Sequence, residues 1–103
     1  MLDRESASKY INDLLELMVN NRGSDLFITS EFPPAIKVDG KITPVSQQPL
    51  NPTQALGLVR SIMNERQVKE FDDTRECNFA ITAPNAGRFR VSAFIQQGRA
   101  GMV

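Results

Sequence analysis

Residues 75–95 constrain this chain more than any other stretch. Cys77, Phe79, Ile81 and Ala83 alternate with Glu76, Asn78, Ala80 and Thr82. Pro84, Asn85 and Gly87 follow, and then Phe89, Val91, Ala93 and Ile95 alternate with Arg88, Arg90, Ser92 and Phe94. A period of two over both runs, with turn residues between, predicts two long strands joined in a hairpin with one face buried. A hairpin that buries one face needs a layer to bury it against. The rest of the chain has to supply that layer.

The N-terminal third offers a helix. From about Ser8, residues Ile11, Leu14, Leu15 and Met18 fall at i, i+3, i+4 and i+7, an apolar stripe on one helical face. Residues 1–7 read as a loose end. Gly23 reads as the left-handed residue after the helix. "SDLFIT" (24–29) then reads as a strand, with Leu26 and Ile28 on one face and Asp25, Phe27 and Thr29 on the other. After Pro33 and Pro34, "AIKVDGKI" (35–42) reads as a hairpin turning at Gly40. A two-residue Asp39-Gly40 loop would put Ile36 and Ile42 on opposite faces. A three-residue loop, Val38-Asp39-Gly40, would pair them on the core side, and that register is the one expected.

Asn51, Pro52 and Gln54 form a helix start: an N-cap, a proline at the first helical position and a glutamine at N3. Ala55, Val59, Ile62 and Met63 would face inward. Asn64 with Gln67 repeats the pattern for a short helix that turns Val68 and Phe71 inward. Gly98 and Gly101 bracket a further expected turn, and "AGMV" reads as a strand just beginning. That suggests a piece of something longer, or an edge completed by a partner. The expected architecture is α+β, a mainly antiparallel sheet with helices packed on one face.

Charge and composition exclude several function classes. Lys plus Arg equals Asp plus Glu at 12 each, so no bulk field draws in nucleic acid. There is no histidine, which removes the usual general base, metal ligand and pH switch. No Gly-x-Ser-x-Gly elbow, no P-loop and no Cys/His metal set occurs, so no catalytic residue and no metal site is assigned. One cysteine, Cys77, forms no internal disulfide and alternates as an inward residue. No apolar run is long enough for a membrane span, and the acidic N-terminus lacks a signal peptide's apolar region. A cytoplasmic domain is expected.

Two groups of residues could carry chemistry. Arg88 and Arg90 share a face, about 7 Å apart along a strand. They are either the polar side of a half-exposed strand or a grip for one polyphosphate or two carboxylates, which the guanidinium fork suits. Ser24 and Asp25 either start a strand or present a charge to a neighbouring chain, and an exposed Phe27 beside them would suit an interface.

Five stretches in order, "GSDLFIT", "PPAIKVDGKI", "SIMNERQ", "ECNFAI" and "GRFRVSAF", resemble the PilT/PilU branch of the type IV pilus retraction ATPases, within the secretion ATPase superfamily. The resemblance runs from about Tyr10 to Val103. Phe27 stands where PilT proteins usually have histidine, and "ECNFAI" looks like PilU. The resemblance implies an N-terminal, PAS-like domain over 8–103, with the Walker motifs in a C-terminal RecA-like domain outside this chain. Such a domain carries no cofactor alone; ATP and Mg would bind in the full-length protein, in the cleft between the two domains. Arg90 matches the second arginine of the family's R-F-R-V stretch and Arg88 the first, which implies phosphate contact. The resemblance further implies a homo-hexamer with Ser24, Asp25 and Phe27 near a subunit contact. It also implies the pilus motor platform as partner, and a place at the inner face of the bacterial membrane. The rival expectation is a stand-alone PAS-like sensor or protein-interaction module.

Overall fold

A computed structural model describes residues 4–96 and 99–103. The chain runs α1 (Arg4–Asn20), β1 (Asp25–Thr29), β2 (Ala35–Val38), β3 (Lys41–Pro44), α2 (Pro52–Ser61), α3 (Glu65–Thr74), β4 (Glu76–Ala83), β5 (Gly87–Gln96) and β6 (Arg99–Met102). The six strands form one antiparallel sheet in the order β3-β2-β1-β6-β5-β4. The last strand lies in the middle, between β1 and β5, and joins the two hairpins into one surface. This is the expected α+β class.

Each element follows from local chemistry. The α1 stripe of Ile11, Leu14, Leu15 and Met18 is buried. It packs with Leu58 and Val59 of α2 against Leu26, Ile28 and Met102 of the sheet in one core. Both helix starts are reciprocal capping boxes. Gln54 N donates to the Asn51 side chain at 2.7 Å, and Asn51 N to Gln54 Oε1 at 2.9 Å. Asn64 and Gln67 repeat this at 2.8 and 3.0 Å. Each box satisfies two of the donors a helix start leaves free. Phe71, fully buried, anchors α3. β4 and β5 pair without a bulge from Glu76↔Phe94 to Ala83↔Gly87.

Four readings change. The first helix begins at Arg4, not near Ser8, because Ala7 is only 2 % exposed and Arg4 donates to the Met63 carbonyl. Ala7, four residues before Ile11, continues the apolar stripe by one turn, and the Arg4 contact ties the first turn to the segment after α2. The left-handed residue after α1 is Arg22 (φ 58), not Gly23. Arg22 N donates to Val19 O and Gly23 N to Met18 O, a Schellman closure in which the glycine comes one place later. Gly23 is needed for space: a Cβ there would lie 2.7 Å from Met18 Cγ and 3.2 Å from Lys37 O.

The β2–β3 hairpin takes the two-residue loop. Asp39 (φ 51) and Gly40 (φ 78) are both left-handed, and Val38 pairs with Lys41. This turn geometry matches the right-handed twist of the strands, and that match outweighs bringing Ile42 to the core. Ile36 is buried opposite Thr43, and Ile42 is 62 % exposed. Gly101 sits inside β6, not in a turn, with Phe94 across from it. Gly98, the other half of that expected turn, lies outside the described residues.

Candidate functional site

The helices cover one side of the sheet and leave the other bare. Along β5 the buried residues are Val91 and Ala93, with Phe89 half-buried beside them, so Arg88 and Arg90 point to the bare side. On β4, Arg90 lies opposite Ala80, and Arg88 opposite Thr82. Neither cross-strand partner is a carboxylate. Both guanidinium groups are exposed, and neither is in an ion pair or hydrogen bond among the described residues. Other arginines are committed: Arg60 to Asp72, and Arg99 to Glu31 at 2.9 Å.

The sheet brings together what looked like two separate groups in the sequence. β1 and β5 flank β6, so Asp25 and Arg90 line one hollow of about 330 Å³ on the bare face, with Asn78 and Ser92 on its β4–β5 side. Ser24 Oγ donates to Asp25 Oδ2 at 2.9 Å, which holds the carboxylate in place. Phe27 is half-buried on the same face, not fully exposed as expected, and lies across from the small residue Ala35. Arg88 lies two residues from Arg90 along β5, outside the hollow. Asn78 and Ser92 were not singled out in the sequence. Ser92 shares the face of Arg90 by strand period alone, and only the strand register shows that Asn78 stands across from Ser92 on that face.

Cys77 brings no reactive thiolate to this charge. Cys77 is buried, and its thiol is pushed up to about 11 from 9.0. Burial is the main cause; the hydrogen bond to Glu70 and that residue's negative charge add to it, and Arg66 pulls weakly the other way. It stays protonated near neutrality, unlike a reactive thiolate. Among the described residues no cluster of three metal-ligating side chains occurs. No described helix is long and apolar enough to cross a membrane.

A curated relative, the type IV pilus ATPase PilU of Pseudomonas aeruginosa, is 53% identical over 90 residues, 87% of this chain and 24% of that protein. The same organism's type IV pilus retraction ATPase PilT is 38% identical over 93 residues, 90% of this chain and 27% of that protein. The solved structure of the pilus retraction motor PilT with bound ADP superposes with a TM-score of 0.81 at 27% identity, over 89% of this chain and 27% of that one. This chain is an N-terminal domain of the PilT/PilU-like secretion ATPases.

The domain spans about a quarter of the length of these relatives. Its higher identity is to PilU, the direction in which "ECNFAI" and Phe27 point. The Legionella pneumophila ATPase DotB shares the fold, with a TM-score of 0.76 at 20% identity over 92% of the chain. No family model matches the chain.

Proposed function

We propose that the domain, as part of a longer protein, serves a hexameric type IV pilus retraction motor that drives twitching motility. In this reading a C-terminal RecA-like domain holds ATP and Mg, and the domain described above forms the facing wall of the cleft. Arg90 is the main phosphate contact and Arg88 the second. The observation that carries the reading is the pair of uncommitted guanidinium groups on the bare sheet face of a PilU-like domain.

The residues fit a phosphate and not the metal. Two arginines without a carboxylate partner can turn their forks to phosphate oxygens, and no internal ion pair has to break first. The described residues hold no carboxylate cluster for a divalent cation, so Mg would be held from the other wall. Positive charge placed where charge develops on a transferring phosphoryl group stabilises the transition state more than the ground state. Closure of the cleft on ATP would bring Arg90 in, and release of product would let it out, so turnover can cycle the angle between domains. Ser24, Asp25 and Phe27 would lie at a contact between neighbouring subunits, and the motor would work at the inner face of the membrane against the pilus motor platform.

ATP turnover by the full-length protein tests this. Arg90→Ala should lower kcat by roughly 10³-fold or more, the low end of what an arginine on a transferring phosphoryl group supplies. Arg90→Lys should recover part of that loss, because lysine keeps the charge but not the fork. Arg88→Ala should have the smaller effect. Wild-type turnover by Arg90→Ala would remove the phosphate role.

A further inference from the structure

The sheet ends in two unlike edges. β3 is the outer strand on one side. It has four residues, begins with Lys41 and ends with Pro44, which offers no N–H. A short strand with a lysine and a proline is a protected edge, one that resists pairing with other chains. β4 is the outer strand on the other side, eight residues long, with no proline, lysine or bulge. The ladder shows which of its backbone groups are free. Ile95 N donates to Arg75 O at 2.8 Å, so the odd-numbered residues of β5 turn toward β4. Phe89 and Val91 then bond with Ile81 and Phe79, and Asn78, Ala80 and Thr82 turn their N–H and C=O outward. No described residue pairs with them there.

The side chains along this edge set what pairs with it. On the bare face Asn78, Ala80 and Thr82 are exposed and uncharged. Arg88 stands behind Thr82 on β5, with no carboxylate partner among the described residues. Thr82 is small, so the guanidinium can extend over it toward the edge. On the helix side Phe79 and Ile81 are half-buried. A hollow of about 300 Å³ beside Ile81, bounded by Ile62, Asn64 and Arg4, leaves room there for a further side chain.

We infer that the β4 edge is a docking site for an extended, acidic segment of a partner protein, which adds a strand antiparallel to β4. The N–H and C=O of Asn78, Ala80 and Thr82 supply the backbone bonds, and the alternate side chains supply the selectivity. The partner residues opposite Phe79 and Ile81 face the helix side and are apolar. The one opposite Thr82 faces the bare side and is a glutamate or aspartate. The added strand lies two inter-strand spacings from β5, about 10 Å. An arginine and a glutamate extended toward each other bridge that gap. Arg88, the lesser contact to phosphate in the reading above, is the arginine engaged. A second copy fits less well: β4 paired with itself about Ala80 would set Asn78, not an acid, opposite Thr82. The inference rests on the free ladder and on Arg88, and not on any role of the arginines toward ATP.

Amide hydrogen exchange on the full-length protein without nucleotide tests it. The probes are two capped peptides, Thr-Val-Glu-Val-Glu-Val-Thr and its counterpart with lysine for glutamate. At about 1 mM, a concentration suited to weak contacts, the glutamate peptide should slow exchange at Asn78, Ala80 and Thr82. Phe79 and Ile81, already bonded to β5, should not change. The lysine peptide should need at least about threefold more for the same effect, the scale of an exposed charge pair. Arg88→Glu should reverse that order. No slowing by the glutamate peptide, equal action of the two peptides on wild type, or an unchanged order in Arg88→Glu would each overturn the inference. Slow exchange at the three amides before any peptide is added would also overturn it, because the protein then covers its own edge; protection that rises with protein concentration alone would mean a second copy instead. No readout involves turnover, so failure here and failure of the phosphate role are separable.

Discussion

Gly101 offers the sharpest test of how the central strand is seated. It lies on β6 with Phe94 of β5 across from it and Thr29 of β1 on the other side. A Cβ built there would meet Phe94 Cε2 and Cζ at 2.8 Å and Ile28 O at 3.1 Å. Two opposing effects decide the outcome of Gly101→Ala. Alanine in a strand gains about 0.5–1 kcal/mol over glycine, because less backbone freedom is lost. Overpacking costs about 1–3 kcal/mol when neighbours must shift. The ring can swing, since it is half-buried on the bare face, but the Ile28 carbonyl belongs to the sheet and cannot. The net expectation is a loss of about 0.5–2 kcal/mol. For a domain of about 100 residues that is roughly 2–16 °C in Tm. Urea titrations of wild type, Gly101→Ala, Phe94→Ala and the double variant apportion the cost. In the Phe94→Ala background most of the penalty should vanish, leaving a coupling of about 1 kcal/mol, typical of residues in contact. An equal penalty in both backgrounds, or a stabilised Gly101→Ala, would refute the reasoning.

Two further outcomes follow from the structure. Ile42→Lys should change stability by less than about 0.5 kcal/mol, because the side chain is exposed on an edge strand; a loss of about 2 kcal/mol or more in urea unfolding would restore the three-residue turn. Cys77 has its folded pKa raised to about 11, so its contribution is fully present below pH 9 and is lost as pH rises toward 11. Wild type should therefore lose roughly 2 kcal/mol more than Cys77→Ala between pH 8.5 and 11, read as the difference between their urea midpoints; parallel pH profiles would contradict the buried-thiol account.

Where periodicity and capping act locally, the sequence reveals the fold. The Asn51 and Asn64 caps, the α1 stripe and the β4–β5 alternation all occur where the residues place them, because each depends on neighbours within a few positions. Where distant contacts decide, it does not. Arg4, in the first turn of α1, bonds to the carbonyl of Met63, 59 positions away, and no local pattern announces that contact. The β2–β3 turn follows strand twist, although Ile36 and Ile42 suggest another register. The candidate site divides in the same way. Arg88 and Arg90 share a face by strand period alone. That Asp25 and Arg90 line one hollow depends on β6 lying between β1 and β5, and nothing in residues 24–29 or 87–94 carries that information.

The central claim is that this domain brings cationic side chains to a nucleotide held by another domain. A structure of the full-length protein with a non-hydrolysable ATP analogue tests it most directly. The account predicts a guanidinium nitrogen of Arg90 within about 3 Å of a phosphate oxygen in the closed subunits, the distance of a charge-assisted hydrogen bond. Arg90 turned away from the nucleotide in every subunit, or paired with a carboxylate instead, would contradict it.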